Sequence, residues 1–200
     1  MLTAIKQNPF NTTHFGWIDI NLLSKHPSNS LNYIHPDVFG RIKKIAANPL
    51  DGMTLMSIGC TNKDLYNDLS LYYSRPRYFF SAGFYTVDIT TAFFIFPKIQ
   101  EKTEDLILKG FIRGDEMVLP WIVDAHEDKF TLLLGDYQDL INNYFSIDTN
   151  GPTVGGRILR EYKAAGKQEL YKKVLRRYLK TDTSKTFDYN DALTRIDATD

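Results

Sequence analysis

The sequence predicts an α/β fold, and three observations carry that expectation. Short apolar runs rich in aromatic and β-branched residues recur at 15–20, 54–59, 78–87 and 131–134. Between them lie stretches with apolar residues at helical spacing, at 37–47, 88–109, 116–125 and 157–179. Alternation of this kind buries a sheet beneath flanking helices. The third observation is size: 200 residues, 43% of them hydrophobic, are enough for one domain with its own core. The expected organisation is a single domain over 1–180 followed by an acidic flexible tail at 181–200, where large apolar side chains are few.

In chain order, residues 3–7 read as the end of a helix stopped by Asn8-Pro9, because the residue before a proline is pushed out of helical backbone. Phe15-Gly16-Trp17-Ile18-Asp19-Ile20-Asn21 follows, an apolar run expected as a buried strand over 15–20 that ends in a carboxylate and an amide. Residues 21–36 carry Pro, Asn, Ser and His and read as a loop leaving that strand end, where α/β proteins tend to place ligands. At 37–47, Val38, Ile42 and Ile45 are separated by Arg41, Lys43 and Lys44, the pattern of a short amphipathic helix closed by Asn48-Pro49. A short strand is expected at 54–59. The aromatic run 78–87 reads as a strand that bends or bulges at Ser81-Ala82-Gly83, where side chains become small.

From 88 to 109 the spacing is helical with Pro97 inside, which predicts either one kinked helix or two meeting near Phe96, with Gly110 as the stop. Residues 116–125 read as a helix, 131–134 as a buried strand and 138–144 as a further short helix. In the last element, 157–179, Ile158, Leu159, Tyr162, Leu170, Val174, Leu175 and Tyr178 recur near helical spacing, interrupted by Gly166. Its excess of Lys and Arg fits a solvated helix face, or docking to an acidic partner or membrane surface.

Composition excludes several function classes. The 24 basic and 24 acidic residues cancel, so nothing in the overall charge favours nucleic acid or a membrane coat as partner. Cys60 is the sole cysteine, which rules out an intramolecular disulfide and a multi-thiolate zinc site and fits a reducing compartment. The start of the chain lacks the charged and apolar regions of a secretory signal, and no run approaches ~20 apolar residues. A soluble, cytoplasmic chain is the expectation. His14, His26, His35 and His126 have no metal-binding spacing, and neither a nucleophile elbow nor a phosphate-cradling glycine loop is present.

The residues able to carry chemistry cluster at predicted strand ends. Strand alternation sends Asp19 and Asn21 to one side and Ile18 and Ile20 to the other, so one hard divalent cation can meet both oxygens. Mg²⁺ and Mn²⁺ favour such ligands and keep positions open for a substrate diphosphate. Trp17 is in reach to pack near a sugar or base. Asp-x-Asn also occurs in ordinary turns and caps. Asp115 and Glu116 sit at a predicted helix start, where one can serve as general base or orient an acceptor, or where Asp115 is simply an N-cap. Ser81, Ala82 and Gly83 would let a ligand approach the backbone closely, or form a packing bulge. Gly135, Asp136 and Tyr137 follow the strand at 131–134 and would help close a donor site, with Asp136 as a plain helix cap the other reading.

Taken in order, Asn8-Pro9-Phe10, Phe15-Gly16-Trp17-Ile18-Asp19, Ser81-Ala82-Gly83-Phe84, Gly114-Asp115-Glu116, Phe130 with Gly135-Asp136-Tyr137, and Asn142-Asn143-Tyr144 resemble the HtrL/YibB-like (WlaTC-like) glycosyltransferases. That family is built on the A-type glycosyltransferase (GT-A) fold. The resemblance implies a partial GT-A mixed sheet with flanking helices and a manganese- or magnesium-dependent transferase. Such an enzyme would move a hexose from a nucleotide-sugar donor to a glycan or other hydroxyl acceptor. It puts the metal and diphosphate role on Asp19, with Asn21 where the family has a second acid, and the acidic pair on Asp115 and Glu116. Only eighteen residues precede Asp19, so the chain reads as the C-terminal portion of such a fold, truncated before the nucleotide-binding half or completed by a partner chain. The competing expectations are a non-catalytic remnant or interaction module and, behind it, a metal-dependent phosphoester hydrolase.

Overall fold

The computed structural model describes residues 1–19, 37–61, 63–74, 79–111, 114–135, 139, 141–147, 156–182 and 187–197. The loop expected at 21–36 lies outside them. Nine α-helices and five strands are present among the described residues: α1 Leu2–Gln7, β1 His14–Ile18, α2 Val38–Ala47, β2 Met53–Ser57, α3 Lys63–Asn67, α4 Leu69–Tyr73, β3 Phe80–Ser81, β4 Phe84–Asp88, α5 Ile89–Leu108, α6 Leu119–Ala125, β5 Phe130–Leu134, α7 Gly156–Ala164, α8 Gln168–Thr181 and α9 Tyr189–Asp197. The fold is α/β, a mixed open sheet with flanking helices. No helix among the described residues is long and apolar enough to cross a membrane.

β2 is the central strand. β5 pairs with it in parallel, from Met53↔Phe130 to Ser57↔Leu134. On its other side run β4 and β3, both antiparallel, at Met53↔Val87 and at Met56↔Ser81 and Ser57↔Phe80. β1 then pairs antiparallel with β4, from His14↔Asp88 to Ile18↔Phe84. β1, β2 and β5 therefore point the same way, and their carboxyl ends share one edge of the sheet.

Side-chain alternation sorts the core into two layers. Met53, Leu55, Val87, Leu132 and Leu134 face the larger cluster, which includes Ala92 and Ile95 of α5, Ile122 and Val123 of α6, and Val174, Leu175 and Tyr178 of α8. Met56, Phe84 and Leu133 face Val38 and Ile45 of α2 with Ile141 and Tyr144. Full burial of one such side chain stabilises by about 1.5–3 kcal/mol, so the two layers fix the register of β2 firmly. A slip of one residue would exchange its faces.

Several local features join sequence to this arrangement. Asn8 ends α1 in left-handed backbone, φ 32°, and its side-chain oxygen accepts the Thr12 N–H at 2.9 Å, turning the chain into β1. Asp88 ends β4 and caps α5, accepting from Thr91 N at 2.8 Å and from Gly52 N at 2.9 Å. Burial alone would raise its carboxyl; the hydrogen bonds from Thr91 and Gly52 outweigh that and hold it below the usual 3.8. At the far end of α5, Gly110 has φ 80°, with Gly110 N bonded to Ile107 O and Phe111 N to Leu106 O, the pattern of a glycine-closed helix.

The structure departs from the sequence reading in several places. Where a buried strand is expected over 15–20, the described residues form β1, an edge strand among them, whose Trp17 and Ile18 are 45% and 43% exposed. Its apolar composition comes with a single neighbour, β4, among the described residues. Of the two forms expected for 88–109, the single helix is the one present, since α5 runs through Pro97. The helix expected at 116–125 begins at Leu119, after a 3₁₀ turn at Asp115–Met117. A helix from 116 would set the Pro120 ring against the Glu116 carbonyl, whereas the first turn of α6 tolerates its missing N–H.

The short helix expected at 138–144 is, where described, a 3₁₀ residue at Asp139 and turns over 141–145. Here four successive carbonyls accept from distant side chains: Asn142 from Arg41, Asn143 from Tyr178, Tyr144 from Arg177 and Phe145 from Thr181. The element at 157–179 is two helices, α7 and α8. Gly166 at φ 65° closes α7, with Lys167 N bonded to Tyr162 O and Gly166 N to Lys163 O.

The stretch expected as a flexible tail, 181–200, contains α9, docked on α8. Tyr189 and Ile196 are buried, and the Tyr189 hydroxyl accepts from Ile147 N at 3.0 Å and donates to Asp182 at 2.7 Å. Lys172 Nζ reaches Asp197 at 2.6 Å. The apolar spacing Tyr189, Leu193, Ile196 was the available signal, masked by the Asp residues around it.

Candidate functional site

The carboxyl edge of the sheet brings together three pieces that are distant in sequence. β1 runs into Asp19, whose N–H donates to Gly83 O at 2.8 Å, extending the β1–β4 ladder past Ile18. Gly83 belongs to the break between β3 and β4, where Ser81, Ala82 and Gly83 interrupt an otherwise aromatic strand. The Ala82 N–H, freed from the ladder by that break, donates to Glu116 Oε1 at 2.7 Å. Gly83 N approaches Ser81 Oγ at 3.4 Å. Asp19 and Glu116 therefore contact adjacent residues of one strand break, although 97 residues separate them in sequence. Carrying the pleat one residue beyond β1 puts Asp19 on the face of Trp17 and of its cross-strand partner Tyr85.

The break itself has a physical origin. Ser81 is fully buried opposite Met56, whereas Ala82 and Gly83 are part-exposed. Two small residues there leave room for the Glu116 carboxylate to take the place of a strand acceptor. Asp115 opens the 3₁₀ turn that presents Glu116; its side chain lies outside what the structure describes.

The other sequence-predicted residues are distributed differently. Trp17 is half exposed on the edge strand. Gly135 lies at the end of β5, beyond β2 from the Asp19 corner, and a Cβ there would stand 2.6 Å from Asp139 Cβ and 2.9 Å from Asn143 Nδ2. Its smallness serves the packing of the 139–143 turn. Asn21, Asp136 and Tyr137 lie outside the described residues.

A second polar cluster at the end of β2 escaped the sequence reading. Asp124 of α6 accepts from Thr61 Oγ1 at 2.8 Å, from Tyr66 OH at 2.6 Å and from Lys167 Nζ at 2.6 Å. Lys167 also donates to Thr61 Oγ1. Beside it, Glu161 Oε2 accepts the Cys60 N–H at 3.1 Å in a space that only Gly59 leaves, since a Cβ on Gly59 would lie 2.7 Å from that oxygen. Burial pushes the Cys60 thiol up to about 12 despite the nearby Lys167, so it is a poor nucleophile. These six residues are single polar side chains scattered from 60 to 167, and no spacing announces them.

As for a metal, no group of three or more His, Cys, Asp or Glu able to hold one occurs among the described residues. The corner does offer two acidic residues, Asp19 and Glu116, and a diphosphate-bound Mg²⁺ typically takes one or two protein carboxylates, with phosphate oxygens and water completing its shell. The donor chemistry fits that kind of site. Comparisons of this chain with protein-family models, with curated proteins and with solved structures find no match.

Proposed function

We propose that this chain acts as a glycosyltransferase, moving a hexose from a nucleotide-diphosphate sugar to a glycan or other hydroxyl acceptor with divalent metal help. The observation that supports it is the convergence of Asp19, the Ser81-Ala82-Gly83 break and Glu116 at one carboxyl-side corner of the sheet. α/β sheets bind ligands outside the carboxyl ends of their strands. In this reading Asp19, with Asn21, would hold Mn²⁺ or Mg²⁺, and the metal would supply charge stabilisation to the departing diphosphate. Ala82 and Gly83 let the donor lie close to the backbone. Trp17 offers an aromatic face to a sugar, and Glu116 or Asp115 orients the acceptor hydroxyl or takes its proton. The exposed side of β1 is where a partner chain carrying a nucleotide-binding half would continue the sheet.

The test is release of nucleoside diphosphate from UDP- and GDP-hexoses with and without Mn²⁺. Metal-stimulated release is expected, and Asp19→Ala should abolish it; release that survives this substitution unchanged refutes the assignment. A second reading, a non-catalytic interaction module, draws support from Glu116, whose carboxylate is engaged with the Ala82 N–H as a structural clasp. It predicts a folded chain that binds neither Mn²⁺ nor UDP in calorimetry.

A further inference from the structure

A groove of about 270 Å³ lies between α2, the 141–147 turns and the end of α8. Its apolar floor includes Ile45, Ile141 and Phe145. Arg41 and Lys44, three residues apart on α2, project along one side. Arg41 Nη1 donates to Asn142 O at 3.1 Å, which holds the guanidinium at the groove with most of its five donors unspent on the described residues. Lys44 Nζ stands 5.1 Å above the Phe145 ring. Among the described residues neither cation pairs with a carboxylate.

The two acids at the groove already have protein donors. Asp37 caps α2 through Gly40 N at 3.2 Å, and Asp182 Oδ2 accepts from Tyr189 OH at 2.7 Å. A carboxylate has further lone pairs, so Asp182 can still accept from a ligand hydroxyl. The groove thus combines two cations suited to phosphate with acceptors suited to hydroxyls. Its volume lies just below the usual range for ligand sites, which suits a small compound.

We propose that this groove binds the phosphomonoester of a small polyol, phosphate on Arg41 and Lys44, hydroxyls toward Asp182. This site is separate from the Asp19 corner and does not depend on the activity proposed for it.

The experiment is calorimetric titration of the full chain with glucose 6-phosphate and glycerol 3-phosphate, with glucose and inorganic phosphate as comparison probes. Saturable binding of at least one ester and none of glucose is expected. Loss of a charge-assisted phosphate contact in Arg41→Ala or Lys44→Ala should weaken Kd by about tenfold or more. Circular dichroism checks folding of each variant, and Lys44→Ala, whose ammonium makes no described hydrogen bond, serves if Arg41→Ala unfolds. Asp182→Asn should narrow the preference for ester over inorganic phosphate. The proposal is overturned if neither ester binds at about 10 mM, or if a folded Arg41→Ala or Lys44→Ala binds as tightly as the parent. Equal affinity for ester and inorganic phosphate overturns it as well.

Discussion

Glu116 is the residue at which a structural and a chemical role separate most sharply. Its Oε1 accepts the Ala82 N–H at 2.7 Å in a part-buried setting. Glu116→Ala leaves that N–H without its acceptor, a loss of about 1–3 kcal/mol. For a chain of this length each kcal/mol lowers Tm by roughly 2–4 °C, so Glu116→Ala should melt roughly 2–12 °C below the parent. Glu116→Gln keeps a carbonyl oxygen at the same reach for the Ala82 N–H, while it removes the charge and turns the other oxygen into an NH2 donor. It should melt within about 1 kcal/mol of the parent, a shift of a few degrees. Thermal unfolding by circular dichroism measures both. Nucleoside diphosphate release under the conditions above gives the second readout, where Gln, unable to take a proton from an acceptor, should be as inactive as Ala. Equal melting losses for Gln and Ala would refute the hydrogen-bond argument. A Gln variant with parental turnover would refute the chemical role and leave Glu116 as a clasp.

Asp88→Ala removes the α5 cap and the Gly52 contact together, and should cost about 2–4 kcal/mol in urea unfolding. Because the folded Asp88 carboxyl lies below 3.8, its contribution is complete above that value and drains away as pH falls through the lower folded value; Asp88→Asn should flatten that part of the acid limb. Tyr144→Phe deprives Leu50 N of its 2.8 Å acceptor and Thr86 Oγ1 of its 2.6 Å partner, an expected loss of about 1–3 kcal/mol on the same unfolding measurement. Cys60, buried with its thiol pushed up to about 12, should resist a thiol-disulfide reagent at pH 8 and react fully once the chain is unfolded in guanidinium.

How far the sequence reveals this fold depends on what sets each element. Where local chemistry decides, the reading holds: α2 follows from its apolar spacing and the Asn48-Pro49 stop, the strand break from Ser81-Ala82-Gly83, and the end of α5 from Gly110. Where distant partners decide, it fails. Nothing near 138–144 reveals that Arg41, Tyr178, Arg177 and Thr181 will occupy its carbonyls. Nothing in Phe15-Gly16-Trp17-Ile18 distinguishes an edge strand from a buried one, because apolar content is shared by both and only the neighbours differ. At the corner, strand and turn patterns located Asp19, Ala82 and Glu116 singly, and tertiary pairing alone made them adjacent.

The two polar clusters at the carboxyl edge differ in a way that bears on which one can do chemistry. Around Asp124 three donors converge on one carboxylate, the side chain is 7% exposed, and the Lys167 ammonium is shared with Thr61. Opening such a network to admit a substrate would strand a charge in the interior, a penalty of several kcal/mol. Its members come from α3, α6, the end of β2 and the α7–α8 junction, so its effect is to hold the ends of these elements in fixed relation. The Asp19 corner is built on the reverse principle. There the strand ladder is interrupted by small side chains, and Glu116 Oε1 meets the sheet at the N–H of a part-exposed residue. Rigidity on one side and an open strand break on the other is the division that a preorganised binding site requires, and it is why the chemical proposal rests on Asp19 and Glu116 rather than on the better-connected Asp124 and Lys167.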